Sequence, residues 1–181
     1  MPHVELPDLR RICFFCVTLL IAGLCHAHGP GVNSSFELLD HLKGRWILQG
    51  VIAGKQTTHD VQASWVLKQE YLRLHEVSRE KDTNGHPAYE AIVFVGWDTN
   101  TQEYACLWLD STSGGGLSAQ GIAHGKRSGD SIPFLFTLSP SDSIRNTFIY
   151  DRNSDSWKWL IDNETNGRTE RFADVTLSRA R

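Results

Sequence analysis

The residues best equipped for chemistry lie in Glu70-Tyr71-Leu72-Arg73-Leu74-His75-Glu76, where polar and apolar types alternate. An extended chain throws successive side chains to opposite faces. Tyr71, Arg73 and His75 therefore share one face, and Leu72 and Leu74 the other. A guanidinium, an imidazole and a phenol on one wall suit an anionic or carboxylate-bearing ligand, with Arg73 offering a bidentate fork. The same alternation describes a half-buried strand that turns its leucines inward and leaves the trio in water. A second group is Trp108-Leu109-Asp110-Ser111, where Trp108 and Asp110 share a face with Tyr104 and Cys106. Asp110 can accept from a ligand hydroxyl, or cap a turn beside Ser111 and Thr112. His75 and Asp110 are the candidates for a catalytic base. His124 shares an alternating face with Gln120 and Ile122 and is a further ligand contact candidate.

Spacing argues against other chemistries. His59, His75, His86 and His124 offer no short-spaced pair to set tetrahedral geometry, so no metal is expected. Met1 is the single methionine, so no second one offers an axial ligand, and no cofactor is expected. Gly114-Gly115-Gly116 lacks the Gly-Lys-Ser/Thr ending of a phosphate cradle, because Gly125-Lys126 is followed by Arg127. It reads as a lip at a cavity mouth. There is no Gly-x-Ser-x-Gly elbow, His-Glu-x-x-His helix or paired-cysteine zinc motif.

The elements that must position these residues follow from composition and punctuation. The chain has 181 residues, 40% of them hydrophobic, with a net charge of −3. That is enough apolar material for one core, and the mild acidity argues against a nucleic-acid partner. Arg10 and Arg11 precede the uncharged run Ile12–Leu24, and Cys25-His26-Ala27 offers small residues at a cleavage site. Residues 1–27 are therefore expected to be a signal peptide, and the protein secreted or periplasmic. The run is shorter than the ~18 residues a spanning helix needs, so no integral membrane span is expected after cleavage. Cleavage removes Cys13, Cys16 and Cys25 and leaves Cys106 without an intrachain partner. Residues 28–35 read as a flexible lead. Asn33 and Asn163 head Asn-x-Ser/Thr acceptor patterns, which matter only in a host that glycosylates.

A short helix follows, capped by Ser34 or Ser35, with Phe36, Leu38, Leu39 and Leu42 as its apolar face and Gly44 as its stop. Past Gly44 the pattern changes to period two. Strands are expected near 45–53, 58–67, 69–79, 88–97, 103–111, 116–124, 131–138, 144–151, 156–162 and 169–178. Turn residues such as Asn84-Gly85, Asp98-Thr99-Asn100 and Asn166-Gly167 separate them. Gaps this short favour antiparallel hairpins. Trp46, Leu48, Gly50 and Ile52 share one face, as do Trp157, Trp159 and Ile161. The expected fold is all-β: a closed antiparallel up-and-down barrel of about 8–10 strands with one short N-terminal helix. A two-layer sandwich is the competing arrangement.

A set of residues also resembles a known family. It comprises Gly44-Arg45-Trp46 opening the first strand, Trp65, and Tyr89 leading into Val93-Phe94-Val95-Gly96-Trp97-Asp98. Tyr104, Trp108-Leu109-Asp110-Ser111 and a late Phe148-to-Trp157 stretch complete it. Over about residues 36–178 the chain is similar to bacterial lipocalin-like proteins grouped as a domain of unknown function, within the calycin-type barrels. The resemblance implies a barrel with a central cavity over residues 36–181 and no particular reaction. The expected function is binding of a small apolar or amphipathic ligand. The contacts would come from Trp46, Trp65, Tyr71, Arg73, His75, Trp108, Asp110 and His124. An isomerase or hydrolase using the same cavity, and a structural or partner-binding barrel filled with side chains, are the alternatives. Oligomeric state is left open.

Overall fold

The computed structural model describes residues 35–112 and 117–181. The expected signal peptide, most of the flexible lead, Asn33 and the glycine lip lie outside the described residues.

The period-two segments become ten strands: β1 (Gly44–Ile52), β2 (Lys55–Val66), β3 (Tyr71–Ser78), β4 (Glu90–Asp98), β5 (Glu103–Asp110), β6 (Ile122–Gly125), β7 (Ser131–Thr137), β8 (Asp142–Asp151), β9 (Ser156–Thr165) and β10 (Arg168–Arg179). Each pairs antiparallel with its sequence neighbour, and β1 also pairs with β10 from Trp46↔Arg179 to Ile52↔Ala173. The sheet thus closes on itself and leaves no open edge, as the up-and-down barrel expectation required. Gly50 allows part of this closure. A Cβ there would lie 2.3 Å from the Asp174 carbonyl oxygen, so only a glycine lets β10 come this near.

One end of the barrel is stoppered. The helix α1 (Glu37–Asp40) is a single turn, shorter than its apolar pattern suggested, and no side chain caps it. It is held by packing instead: Leu38, Leu39 and Leu42 are buried with Trp46, Tyr104, Phe134, Tyr150, Trp157 and Leu177. Burying each leucine contributes roughly 2 kcal/mol of transfer free energy, which exceeds what a capped but unpacked turn could supply. Polar ties fix the stopper's position. The Tyr104 hydroxyl donates to the Ser35 carbonyl, Trp46 Nε1 to the Leu42 carbonyl at 2.6 Å, and Trp65 Nε1 to Asp40 Oδ1 at 2.6 Å. Arg179 lies 3.8 Å over the Trp46 ring and donates to the carbonyls of Lys43 (2.6 Å) and His41 (3.0 Å). Gly44, at φ +128°, turns the chain from helix into β1, and a Cβ there would meet Arg179 Nη1 at 2.6 Å.

One local expectation is corrected. The segment expected as a strand over 116–124 is a strand only from Ile122. Ala119–Gly121 before it is one turn of tight helix that packs on β5, where a Gly121 Cβ would lie 3.1 Å from the Trp108 carbonyl. The seam from β6 to β7 is thin, with the single ladder pair His124↔Leu135 beside Pro133, which has no N–H to give. At the cavity rim the β9–β10 register shifts between Arg171 and Ala173. This bulge inserts Phe172 as an extra residue, and its carbonyl accepts from Ala53 N–H at 2.8 Å. Among the described residues no helix is long and apolar enough to cross a membrane.

Candidate functional site

Above the stopper the barrel is hollow. A cavity of about 800 Å³ opens between the β1–β2, β3–β4, β5–β6, β7–β8 and β9–β10 connections, with exposed Lys55, Gln56, Thr112 and Ser118 at its rim. Its walls follow from alternation along each strand. The inward residues Leu48, Ile52, Phe136, Ile144, Trp159, Ile161 and Val175 supply the apolar lining. Aromatic contacts stiffen it: Trp108 meets Phe136 and Trp159 edge-on, with ring centroids 6.5 and 6.3 Å apart.

The polar groups gather on the wall made by β2, β3 and β5. His59 and Glu76 are 4% and 3% exposed, and His59 Nδ1 lies 2.5 Å from Glu76 Oε1. The other ring nitrogen, Nε2, is 2.8 Å from Thr57 Oγ1. Thr57 is in turn 2.9 Å from Glu80 Oε2, which Ser78 Oγ also reaches at 2.7 Å, while Thr58 N–H donates to Glu80 Oε1 at 3.0 Å. These donors, the Ser78 hydroxyl first, hold the Glu80 carboxyl down at about 2, so it is ionised at neutral pH. Thr57 then gives its one hydroxyl hydrogen to Glu80 and accepts from His59 Nε2–H. A continuous chain runs Glu80–Thr57–His59–Glu76, with both nitrogens of His59 engaged by protein.

Tyr89 covers this chain. Its ring stacks on His59 with centroids 5.6 Å apart, and its hydroxyl accepts from Trp108 Nε1 at 3.1 Å. Burial first, then the nearby Glu76 and Asp110 carboxylates, push its phenol well up, so it stays protonated. Across the cavity, Asn146 Oδ1 and Trp159 Nε1 are buried without a hydrogen-bond partner.

The expected site residues divide by direction. Trp108 and Asp110 line the cavity as their shared face required. Asp110 also caps its turn, accepting from Thr112 N–H at 2.8 Å and Thr112 Oγ1 at 2.7 Å. Trp46 and Trp65 face inward but belong to the stopper. Tyr71, Arg73 and His75 do not line the cavity, because β3 turns Leu72, Leu74, Glu76 and Ser78 inside. Tyr71 is 44% exposed, and His75 Nε2 pairs outside with Glu90 Oε1 at 2.7 Å. His124 is exposed on the outer face. His75 and Asp110, the two candidate bases, are thus on opposite sides of the sheet. Cys106 is buried inside, where burial pushes its thiol well up, so it is inert rather than nucleophilic. Among the described residues no group of three or more His, Cys, Asp or Glu is placed to hold a metal ion.

Sequence reasoning missed His59, Glu76, Tyr89 and Asn146 as cavity groups. The signal for two of them was present: Glu76 lies in phase with Leu72 and Leu74, and His59 with Val61 and Ala63. A titratable residue in phase with a buried face is either paired or functional.

No family model matches the chain, and no curated protein matches it. The barrel and its cavity therefore carry the functional argument.

Proposed function

We propose that this protein is a lipocalin-like carrier or receptor that holds one small apolar or amphipathic molecule in the open half of its barrel. The single observation that carries this reading is the cavity of about 800 Å³, walled by apolar side chains and reaching the rim. Volumes of this order are those of small-molecule sites, and a few convergent polar groups among apolar walls are their usual lining. The stopper supports the same reading, because the rigid end holds the walls apart without contributing to the site. The residues at the N-terminus support export to a secreted or periplasmic location, where such a carrier meets its ligand.

The experiment is a fluorescence titration with the neutral dye N-phenyl-1-naphthylamine. The reading expects saturable binding of one dye per chain, with quenching of Trp108 and Trp159. It also expects loss of binding in Ile161→Trp, which places an indole inside the cavity. Absence of saturable binding, or equal binding by that variant, opposes it.

An enzymatic reading draws on the chain Thr57–His59–Glu76, whose order matches nucleophile, base and orienting acid. The Thr57 hydroxyl, however, is turned to Glu80 rather than kept for a substrate. That arrangement supports a fixed wall more than an attacking group.

A further inference from the structure

The cavity is chemically lopsided. Its titratable lining is Lys55, His59, Glu76, Glu80, Tyr89 and Asp110: three carboxylates, one ammonium, one imidazole and one phenol. The ammonium belongs to an exposed rim residue, whereas Glu76 lies deep in the wall. Glu80 spends its oxygens on Thr57, Thr58 and Ser78. Glu76 engages His59 through Oε1, and Asp110 holds Thr112 N–H and Oγ1 among its partners. An apolar cup lined by such groups focuses negative potential. The rings of Tyr89, Trp108 and Trp159 add faces that attract cations.

The opposite wall independently asks for a ligand. Asn146 is 2% exposed and Trp159 1%, both line the cavity, and the amide oxygen and indole N–H have no partner. Native interiors leave few such groups unpaired. In the β8–β9 register Asn146 faces Ile161 and Phe148 faces Trp159, so the two orphans are diagonal neighbours on one face. One needs a donor and the other an acceptor. A hydroxyl or secondary amide on a bound molecule answers both.

Resting on the reading of the cup as a ligand site, we propose that it selects cationic amphiphiles. These are amines whose ammonium meets the wall of Glu76, Tyr89 and Asp110, with an apolar body against Phe136, Ile161 and Val175. Carboxylate-headed molecules of the same length are rejected, since a further carboxylate would be desolvated in a cup whose carboxylates outnumber Lys55 and a protonated His59 by one. A hydroxyl or amide along the body completes the match at Asn146 and Trp159.

Isothermal titration of the full chain with decylamine, decanol and decanoate, well below their micellar concentrations and near neutral pH, tests this. The tail is constant and only the head changes. Decylamine is expected to bind about tenfold tighter than decanol, and decanoate weakest. In Asp110→Asn, and separately in Glu76→Gln, the advantage of decylamine over decanol measured on the same variant should shrink toward none. Raised salt should weaken the amine alone. Equal binding of all three heads, or a preference for decanoate, overturns the charge selection and leaves the cup a general amphiphile site. Failure of all three to bind overturns both. An amine preference that persists in both variants assigns the selection elsewhere and also overturns the proposal.

Discussion

His59 Nδ1 and Glu76 Oε1 meet at 2.5 Å between adjacent strands of a barrel wall, each side chain almost wholly buried. Such a pair stabilises only while it is complete, because either member alone is a buried group without its partner. Glu76→Ala is therefore expected to destabilise the fold by about 3 kcal/mol, and Glu76→Gln by about 1, since the amide keeps a hydrogen bond to Nδ1. Chemical denaturation followed by tryptophan fluorescence reads the difference. Equal losses in the two variants would show that the hydrogen bond contributes nothing.

Glu80 ties the same wall to the rim and sets an acid limit. Its folded carboxyl titrates at about 2, below the ordinary 4.5. A depressed carboxyl contributes stability that is fully present above the unfolded value and is lost as pH falls toward the folded one. The loss therefore lies between about pH 4.5 and 2. Because Glu80 is solvent-exposed, its share is discounted to about 1 kcal/mol. Denaturation midpoints measured down that range should fall less steeply in Glu80→Gln than in the parent chain.

The stopper and the cup are predicted to separate under mutation. Leu38→Ala, at a position with no exposure, removes packing beneath the cavity rather than in it. It should destabilise by about 2–4 kcal/mol and leave dye affinity unchanged. Arg179→Ala strips the cation from the Trp46 ring and two donors from the His41 and Lys43 carbonyls. On that partly exposed surface the expected loss is about 1–2 kcal/mol, again without effect on binding. Thermal melts beside dye titrations would show whether the two ends are independent.

Much of this architecture was legible before any coordinates. Period-two runs and turn pairs place nine of the ten strands to within three residues at each end, because each hairpin reads from local residues alone. The exception, the segment before Ile122, bends for a reason no local pattern contains: it lies over the Trp108 carbonyl across the rim. Direction within a strand was harder. In β3 both faces carry chemistry, and Leu72 and Leu74 decide the matter by taking Glu76 and Ser78 inside with them. Of the two readings that the alternation allows, the strand adopts the one that turns its leucines inward and leaves Tyr71, Arg73 and His75 outside. Tyr89 lies in the connection before β4, where alternation says nothing, and its place over His59 depends on how that connection folds back. The stopper rests on contacts far apart in sequence, such as Tyr104 with Ser35, which spacing cannot reveal.

Everything functional depends on the cup being occupied by a small molecule. Native mass spectrometry of the chain purified from its own host, run beside Ile161→Trp prepared identically, measures this directly. The account predicts one retained small organic molecule per parent chain, released on denaturation, and none on the variant. A parent chain that flies at its bare polypeptide mass, or an adduct that the variant keeps, would contradict it.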